Sequence, residues 1–467
     1  MRILILVLFV IGLAGCQNYQ KQLPQTNKSE FKVKKIPPSP QQKGGDPEKG
    51  FEYLAYGNYL GTGIPYEYVK NKPPFKIKQD TVLNRTGINA TIPHRATVFE
   101  AENGLQVMNG NCFACHAGEV NGQIIPGLGD SFSDFTHSMG PFSKVVSTGV
   151  RWKFGRESDE FETYEEFGQY FREIPPYIQT KNKGTNPAAR LAEAIVKHRD
   201  PVDLSYLEEP AYEMPAYTLA TDVPPFWHVK KKNALYYTAV GRGDFTKLLF
   251  QASFLGIPDT LTARRAVNNF KHVIAWMETL EPPPFPKEID YQIAEKGKVI
   301  FNDHCSDCHG TYGQQWTYPN KVVSLDVVKT DPYYASYATQ AHIVDWYNDS
   351  WFATSYPESA LVPEAGYIAP PLDGIWATAP YLHNGSVPTL YHLIHPDERP
   401  EKWKRKNDSR DYDYNKVGWN FKAKEIKLLN GWTYNTQLPG YGNQGHSFGS
   451  DLSEKEKDAL IEYLKTL

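Results

Sequence analysis

The sequence is short of two residue types, and it lacks both a long apolar run and an excess of charge. Of 467 residues only five are cysteine and five are methionine. The N-terminal apolar run, residues 3–14, is too short to span the hydrocarbon core of a bilayer. Because 50 Lys plus Arg face 53 Asp plus Glu, and no block of like charge marks a basic tail, nothing indicates a nucleic-acid partner.

The N-terminal apolar run is typical of a secretory signal. A basic residue, Arg2, precedes the run, and Leu13-Ala14-Gly15-Cys16 closes it with small residues suited to cleavage. We predict that residues 1–15 are a signal peptide and that Cys16 is the lipidated first residue of the mature chain, as in a bacterial lipobox. The alternative is an ordinary signal peptide in which Cys16 is incidental.

The composition of residues 16–50 predicts a lipidated, flexible tether. The segment is rich in Gln, Lys, Pro, Ser and Asn, a composition that cannot bury a core. Such a tether would hold the protein on the periplasmic side of a bacterial cell-envelope membrane without embedding it. Residue 17 is Gln rather than Asp, which does not favour retention in the inner membrane and leaves an outer-membrane anchor open.

The other four cysteines fall in two Cys-x-x-Cys-His pentapeptides, each of which predicts covalent attachment of a c-type haem. The motifs are Cys112-Phe113-Ala114-Cys115-His116 and Cys305-Ser306-Asp307-Cys308-His309. In each motif the two cysteines would form thioethers to one porphyrin, and the histidine would be the proximal iron ligand. No cysteine then remains for a disulfide. The alternatives are chance matches, or a zinc or redox Cys-x-x-Cys.

The scarcity of methionine restricts the second axial ligand of each iron. No methionine follows Cys305, so a haem on His309 cannot take a methionine from the same part of the chain. The candidates are a tyrosine or one of the later histidines, which are His342, His383, His392, His395 and His446. We favour His446 because glycines on both sides let the backbone approach a porphyrin closely, and we rank His383 second.

No second ligand stands out for a haem on His116. The options are His137, His228 and Met139. His228 follows Trp227, and we predict these two as catalytic residues, with the indole against a haem edge and the imidazole facing a bound oxygen species. The alternative is a core tryptophan beside a surface histidine. The lack of a clear ligand favours an open, reactive iron on His116.

Helical periodicity and proline define the predicted architecture. Residues 262–280, 291–301 and 452–467 carry apolar side chains at helical spacing, and Ser453 with Glu456 matches a capping box. The prolines of residues 281–286 separate the first two of these helices. Strand signals are weak, so we predict a mostly α protein with two cytochrome c-type domains at 51–284 and 285–467. The first domain would be enlarged by irregular insertions.

One long segment carries a specific family resemblance. Residues 366–393 include Thr378-Ala379-Pro380-Tyr381 followed by His383 and Gly385. This segment resembles the signature of bacterial dihaem cytochrome c peroxidases. It is more similar to the related branch that contains the haem-dependent rubber oxygenase, which the segments 224–232, 372–376 and 445–449 also fit. The resemblance extends over residues 95–467.

The resemblance implies two facing cytochrome c domains with unequal haems, the reactive one on His116 and a six-coordinate electron-transfer haem on His309. In the peroxidases a methionine after the signature histidine ligates the second iron, but Asp397 stands at that position here. The oxygenase-like branch has two histidines on the second iron, which favours His446 opposite His309. The glutamate-containing segment used by the peroxidases is not found, and no calcium ligand set is identified.

These patterns predict a lipid-anchored dihaem oxidoreductase. Its partners would be peroxide or dioxygen, together with an electron donor or a small organic substrate. The competing class is a non-enzymatic periplasmic electron carrier in which both irons are six-coordinate. The sequence names neither the substrate nor the oligomeric state.

Overall fold

The computed structural model describes residues 23–26, 28–423 and 432–467. The predicted signal peptide and Cys16 lie outside the described residues, so their roles stay predictions. Within the described part of the chain, no helix combines the length and the apolar character needed to cross a membrane.

The helices are distributed along the whole described chain. In chain order they are α1 Pro47–Tyr56, α2 Tyr66–Val69, α3 Gly140–Phe154, α4 Asp159–Glu173, α5 Pro175–Ile178, α6 Ala188–Val196, α7 Phe245–Gln251, α8 Thr260–Thr279, α9 Tyr291–His304, α10 Ser306–His309, α11 Leu325–Val328, α12 Tyr333–Ala338, α13 His342–Asp349, α14 Trp351–Thr354, α15 Leu390–Ile394 and α16 Glu454–Leu464. Short 3-10 turns form at Gly87–Thr91, Cys112–Ala114, Phe226–Lys231, Ile375–Thr378 and Pro396–Glu398.

The strands are short and pair in several small antiparallel sheets. In chain order they are β1 Val33–Lys35, β2 Ile64–Pro65, β3 Ala96–Glu100, β4 Gln106–Gly110, β5 Ala117–Val120, β6 Gln123–Pro126, β7 Gly241–Gly243, β8 Lys321–Ser324, β9 Ser359–Leu361, β10 Gly366–Ile368, β11 Lys402–Arg405, β12 Tyr412–Asp413, β13 Gly418–Trp419, β14 Phe421–Lys422 and β15 Thr433–Asn435. The sheets have the strand orders β1-β8-β10, β14-β11-β15, β12-β13, β2-β4-β3, β5-β6 and β7-β9.

The prediction of a mostly α protein is wrong, because the structure is mixed α/β with 37% of residues helical and 14% in strands. Most strands have only two to four residues, as in β12 and β8. Such strands are too short to show the alternation of polar and apolar side chains by which strands are recognised. Some of them also have partners distant in sequence, since β1 pairs with β8 and β7 pairs with β9.

The predicted helices at the two ends of the second half are confirmed, and they cross closely. Helix α16 begins with the expected capping box of Ser453 and Glu456. Helix α9 packs against it at Gly297, where a Cβ atom would overlap the carbonyl oxygen of Ala459. Because glycine has no Cβ, the two backbones can approach at this point. The second Cys-x-x-Cys-His motif directly follows α9, beside this crossing.

The first half contains a matching helix crossing. Helix α8 confirms the helix predicted at 262–280 and packs against α1. Gly50 of α1 lies at the contact, where a Cβ atom would overlap the carbonyl oxygen of His272. Gly50 and Gly297 both follow Glu-Lys, a repeat in the two helices that the sequence analysis missed. In the first half the β2-β4-β3 sheet intervenes between the first helix and the haem motif.

Residues 28–50, predicted to be part of a flexible tether, are packed against the rest of the chain. Strand β1 pairs with β8, with Val33 opposite Val323. Ile36 is buried with an exposed fraction of 2%. The Gln41 side chain donates to the carbonyl of Gly243 at 2.8 Å. Composition indicated disorder because the segment has no core of its own, but backbone pairing with a distant strand orders it.

Candidate functional site

The second Cys-x-x-Cys-His motif forms one helical turn at the end of α9. The backbone N–H groups of Cys308 and His309 both donate to the carbonyl of Cys305, at 3.1 and 3.0 Å. This turn brings the two thiols to the same side of the backbone, as attachment to a single porphyrin requires. Cys305, Cys308 and His309 all line one internal cavity.

His309 is held as a neutral imidazole with one nitrogen free. Its Nδ1–H donates to the carbonyl of Pro370 at 2.8 Å. Burial lowers the pKa of the ring, and the Pro370 carbonyl opposes that shift to a smaller extent. With the proton on Nδ1, the lone pair of Nε2 is available to a metal. A histidine ligand commonly has this second hydrogen bond, which fixes its tautomer and orientation.

His446 faces His309 at the separation that a shared metal requires. Their ring centroids are 6.3 Å apart and the ring planes are tilted by 59°. Two metal–nitrogen bonds of about 2 Å, with about 1 Å more from each nitrogen to its ring centre, give about 6 Å between centroids. Nδ1 of His446 is buried without a hydrogen-bond partner, and burial lowers the pKa of the ring to about 3. Both rings are therefore neutral, the form that binds iron.

The loop that carries His446 is fixed by the side chain of Arg399. The guanidinium donates to the carbonyls of Asn443 and Gly445 at 2.7 and 2.6 Å, and to that of His446 at 3.2 Å. It also donates to the carbonyls of His392 and Leu393, which are in helix α15. Every acceptor is a backbone carbonyl, so Arg399 ties the loop to α15.

The cavity between His309 and His446 has mostly apolar walls. It leaves about 1490 Å³ of unfilled space, part of it open to solvent. Its apolar walls come from α9, β8, the segment 368–382, α15 and α16, and include Phe301, Val323, Ile368, Leu372, Ile375, Leu390, Leu393, Leu460 and Leu464. Thiols at one side, opposed imidazoles and apolar walls fit a covalently attached haem, which is a large flat apolar group.

The first motif forms a tighter turn between two sheets. Cys112–Ala114 is a 3-10 turn that Asn111 caps by accepting from the N–H of Phe113 at 3.0 Å. The N–H of His116 donates to the carbonyl of Cys112 at 3.0 Å. The amide of Asn186 lies 3.1 Å from Sγ of Cys115 and donates to it. Burial raises the pKa of both thiols, to about 11 for Cys112.

His116 is surrounded differently from His309. Its ring stacks on Phe226, with centroids 3.9 Å apart and planes 20° apart. Burial lowers its pKa to about 3, the Pro224 carbonyl opposes that shift, and the positive charge of Lys232 adds to the lowering. Its Nδ1 makes no hydrogen bond of normal geometry. The Pro224 carbonyl is therefore the counterpart, at His116, of the Pro370 carbonyl at His309. The difference is that Pro370 forms a hydrogen bond of normal geometry with its histidine and Pro224 does not.

Two of the three ligand candidates for the first motif lie at the surface. The side chain of His137 is 80% exposed and pairs with Asp134. Met139 is 39% exposed. Neither shares the buried surroundings of His116, whose ring partner is Phe226. The third candidate, His228, is buried.

The predicted catalytic pair, Trp227 and His228, lies at the junction of the two halves. Nε1 of Trp227 and Nε2 of His228 both donate to the carbonyl of Asp373, at 2.9 and 3.0 Å. Both side chains are buried, and His228 lines the cavity of the second motif. The alternative of a surface histidine is wrong, while the catalytic role of the pair stays a prediction. Lys231 completes the junction with an ion pair to Asp373 at 2.7 Å.

Pro224, Pro370 and Arg399 were not predicted from the sequence as residues of the site. Pro224 and Pro370 each begin a Pro-Pro pair, and each pair is followed within a few residues by a tryptophan, Trp227 or Trp376. This repeat could have indicated that the two prolines have matching positions at the two motifs. Arg399 has no motif around it, because its partners are backbone carbonyls that any residue could supply.

Comparison with known proteins agrees with the second site. The RoxA-like, cytochrome c-like family model matches residues 366–404, which include Pro370, His383 and Arg399. The chain is 27% identical over 292 residues to the uncharacterized protein y4iM of Sinorhizobium fredii, covering 54% of this chain and 66% of that protein. It is 30% identical over 253 residues to the uncharacterized protein y4iJ of the same organism, covering 40% and 41%. The chain thus matches only part of either relative.

A RoxA-like cytochrome c domain is therefore found at residues 366–404. Such a domain implies covalently bound haem c and suggests a c-type cytochrome oxidoreductase. The part of the predicted resemblance that concerns this branch is supported, whereas the wider dihaem peroxidase superfamily stays a prediction. The cavity beside Cys305, Cys308 and His309 fits that cofactor.

Proposed function

We propose that this protein is an exported, lipid-anchored c-type cytochrome that carries two haems and acts as an oxidoreductase. The haems would supply the redox chemistry, with peroxide or dioxygen bound and activated at His116 and electrons relayed at His309. The chain would provide the attachment, the axial imidazoles and the contact between the two sites. Cys16 would anchor it at the periplasmic face of a bacterial membrane.

The inequality of the two histidines carries this proposal. His309 has a second imidazole, His446, at the spacing of a shared metal. An iron with two histidine ligands has no open position and is suited to electron transfer. At His116 the adjacent ring is Phe226, which cannot ligate a metal. Of the three sequence candidates, His137 and Met139 are exposed, and His228 is buried with its Nε2 bonded to the carbonyl of Asp373. An iron with one protein ligand leaves a position for an oxygen species.

Contacts between the two motifs support an electron relay. The ring of Phe226 stacks on His116, and the next residue, Trp227, donates from its indole to the carbonyl of Asp373. Asp373 closely follows Pro370, whose carbonyl accepts a hydrogen bond from Nδ1–H of His309. A ring stack, a hydrogen bond and short stretches of covalent chain thus connect the imidazole of His116 to that of His309. The indole at this contact is buried.

Ligand binding and turnover test the proposal together. Cyanide or carbon monoxide, added to the purified dihaem protein, should change the absorption of one haem and leave the other unaltered. Turnover should then appear either with peroxide and a reduced cytochrome donor or with dioxygen and an organic substrate. A protein in which neither haem binds these ligands in either oxidation state would be the electron carrier instead.

A further inference from the structure

One group of polar residues interrupts the apolar wall of the cavity beside His309. Asp222, Tyr237, Thr330 and His383 all line this cavity. Three of them are linked, because Tyr237 donates to the Asp222 carboxyl at 2.9 Å and the N–H of Asp222 donates to the carbonyl of His383 at 2.6 Å. Thr330 is the fourth polar residue of the same cavity. These four residues are called the polar wall below.

Two side chains of the polar wall have buried polar atoms with no partner. His383 is 6% exposed and Thr330 is 5% exposed. Nε2 of His383 and Oγ1 of Thr330 make no hydrogen bond within the described part of the chain. Leaving a buried polar group without a partner is unfavourable, so two such groups lining one cavity indicate a ligand that accepts hydrogen bonds from both.

The His383 imidazole is held in one orientation. It stacks on Tyr367, with centroids 3.9 Å apart and planes 15° apart. Tyr367 is itself fixed, since its hydroxyl donates to the carbonyl of Asp331 at 2.7 Å and accepts from the N–H of Ala335 at 3.1 Å. Thr330 immediately precedes Asp331, so Tyr367 contacts both the His383 ring and the residue next to Thr330. Their positions are therefore set before any ligand arrives.

We propose that His383 and Thr330 bind a carboxylate, and that this carboxylate is a propionate of the haem attached to Cys305 and Cys308. This assignment rests on the proposed function, because it requires a haem in that cavity. Haem carries two propionates on an otherwise apolar ring, and a carboxylate inside apolar walls needs hydrogen-bond donors. The imidazole N–H and the threonine hydroxyl supply one donor each. His383 would thus bind the propionate at the haem edge, and His446 would be the iron ligand.

Asp222 fits this arrangement as a protonated carboxylic acid. A second anion beside a propionate would repel it, whereas a protonated Asp222 does not. Burial raises the pKa of Asp222 to about 7, and the hydrogen bond from Tyr237 opposes that shift. The backbone of Val223 also hydrogen-bonds to the Asp222 carboxyl and opposes the shift to a smaller extent than Tyr237 does.

Paired substitutions in the full dihaem protein test the proposal. Thr330→Val and His383→Leu remove the donors, whereas Thr330→Ser and His383→Asn keep them. Losing a donor leaves more negative charge on the propionate, which favours ferric iron. We therefore expect Thr330→Val and His383→Leu to lower the midpoint potential of the low-spin haem at pH 6, with smaller shifts for Thr330→Ser and His383→Asn. Haem staining and a melting curve would check attachment and folding in every variant.

Three results would overturn the assignment. One is a midpoint potential that is unchanged in the folded Thr330→Val, His383→Leu double variant. Another is a high-spin second haem in His383→Leu, which would make His383 an iron ligand. The third is a spectral shift of the unsubstituted protein on adding free propionate, which would mean that the site takes a small carboxylate from solution. Ligand binding at the other haem is measured separately, so failure here is distinct from failure of the proposed function.

Discussion

His309 and His446 face each other across one cavity with ring centroids 6.3 Å apart, the separation expected for two imidazoles on one metal. His309 is the last residue of the short helix α10, which follows α9, and His446 comes from a loop far along the chain. The backbone N–H of His446 donates to the carbonyl of Val328 at 2.7 Å, which fixes the loop beside β8 and α11. The facing pair is therefore built by the fold and does not depend on local sequence.

Replacing His446 should change the spin state of one haem. In His446→Ala the iron on His309 would lose one of its two strong ligands, so its low-spin absorption and paramagnetic resonance signals should become high-spin. His395→Ala is the matched control, because His395 is also buried but pairs with Glu454 at 3.0 Å. An unaltered spectrum in the His446 variant would show that the ligand is another residue.

Arg399→Leu should destabilise the protein and disturb the second haem. The substitution leaves the carbonyls of Asn443 and Gly445 without their donor, and we expect a loss of about 3 kcal/mol in the free energy of unfolding. The midpoint potential of the low-spin haem should also shift, because its ligand loop is loosened. Arg410→Leu, at a side chain that is 74% exposed, should do neither. A loss of stability with an unchanged potential would limit Arg399 to a structural role.

The helix crossing at Gly297 should not tolerate a methyl group. In Gly297→Ala the new Cβ would overlap the carbonyl of Ala459, forcing α9 and α16 apart. Overpacking of this kind costs about 1–3 kcal/mol, which denaturant unfolding would detect. Val299→Ala, on the same helix at a side chain that is 60% exposed, is the control. Equal stability of the two variants would contradict the close crossing.

Asp222 should make stability depend on pH. Burial raises the pKa of Asp222 to about 7, whereas an unfolded aspartate titrates near pH 4. The folded protein therefore retains a proton that the unfolded chain has lost, and this contribution to stability declines as the pH rises from about 4 to about 7. Asp222→Asn should flatten that decline in urea unfolding between pH 5 and pH 8.

The control for the pH experiment is Asp203→Asn. Asp203 is a carboxyl outside the cavity whose pKa is lowered by hydrogen bonds from Ser205. Its substitution should leave the decline between pH 5 and pH 8 in place. If Asp222→Asn and the unsubstituted protein differ by the same free energy at both pH values, Asp222 does not titrate in this range.

Trp227→Phe should slow electron transfer between the haems. The phenyl ring cannot donate to the carbonyl of Asp373, so the hydrogen-bonded step of the junction is lost. The absorption spectra of both haems should be retained, because Trp227 is not a ligand in this account. Stopped-flow reduction would compare the rates at which electrons reach the first haem. An unchanged rate would mean that the electrons follow another route.

The sequence predicted local features well and long-range pairings poorly. The helices α8, α9 and α16 were predicted because their apolar spacing is visible in a short window. Strand β1 was missed because its partner β8 lies almost three hundred residues away, with Val33 opposite Val323. Strands of two or three residues show no period, which is why the fold class was wrong.

At the candidate site, the sequence identified the residues with distinctive chemistry. The cysteines and histidines of the two motifs, and His446, were found because few residue types attach or ligate haem. His383 was singled out as a possible iron ligand, but Asp222, Tyr237, Thr330 and Arg399 were not found, because these residue types are common and only the fold brings them together. The role of Trp227 and His228 was inferred for the first haem, whereas the structure has His228 lining the second cavity.

The most direct test of the account is the electron paramagnetic resonance spectrum of the fully oxidised protein with both haems attached. The inequality of His116 and His309 predicts two signals of equal weight. One should be a low-spin signal of an iron with two histidine ligands, and the other a high-spin signal that cyanide converts to low-spin. Two low-spin signals, both unaltered by cyanide, would contradict the account.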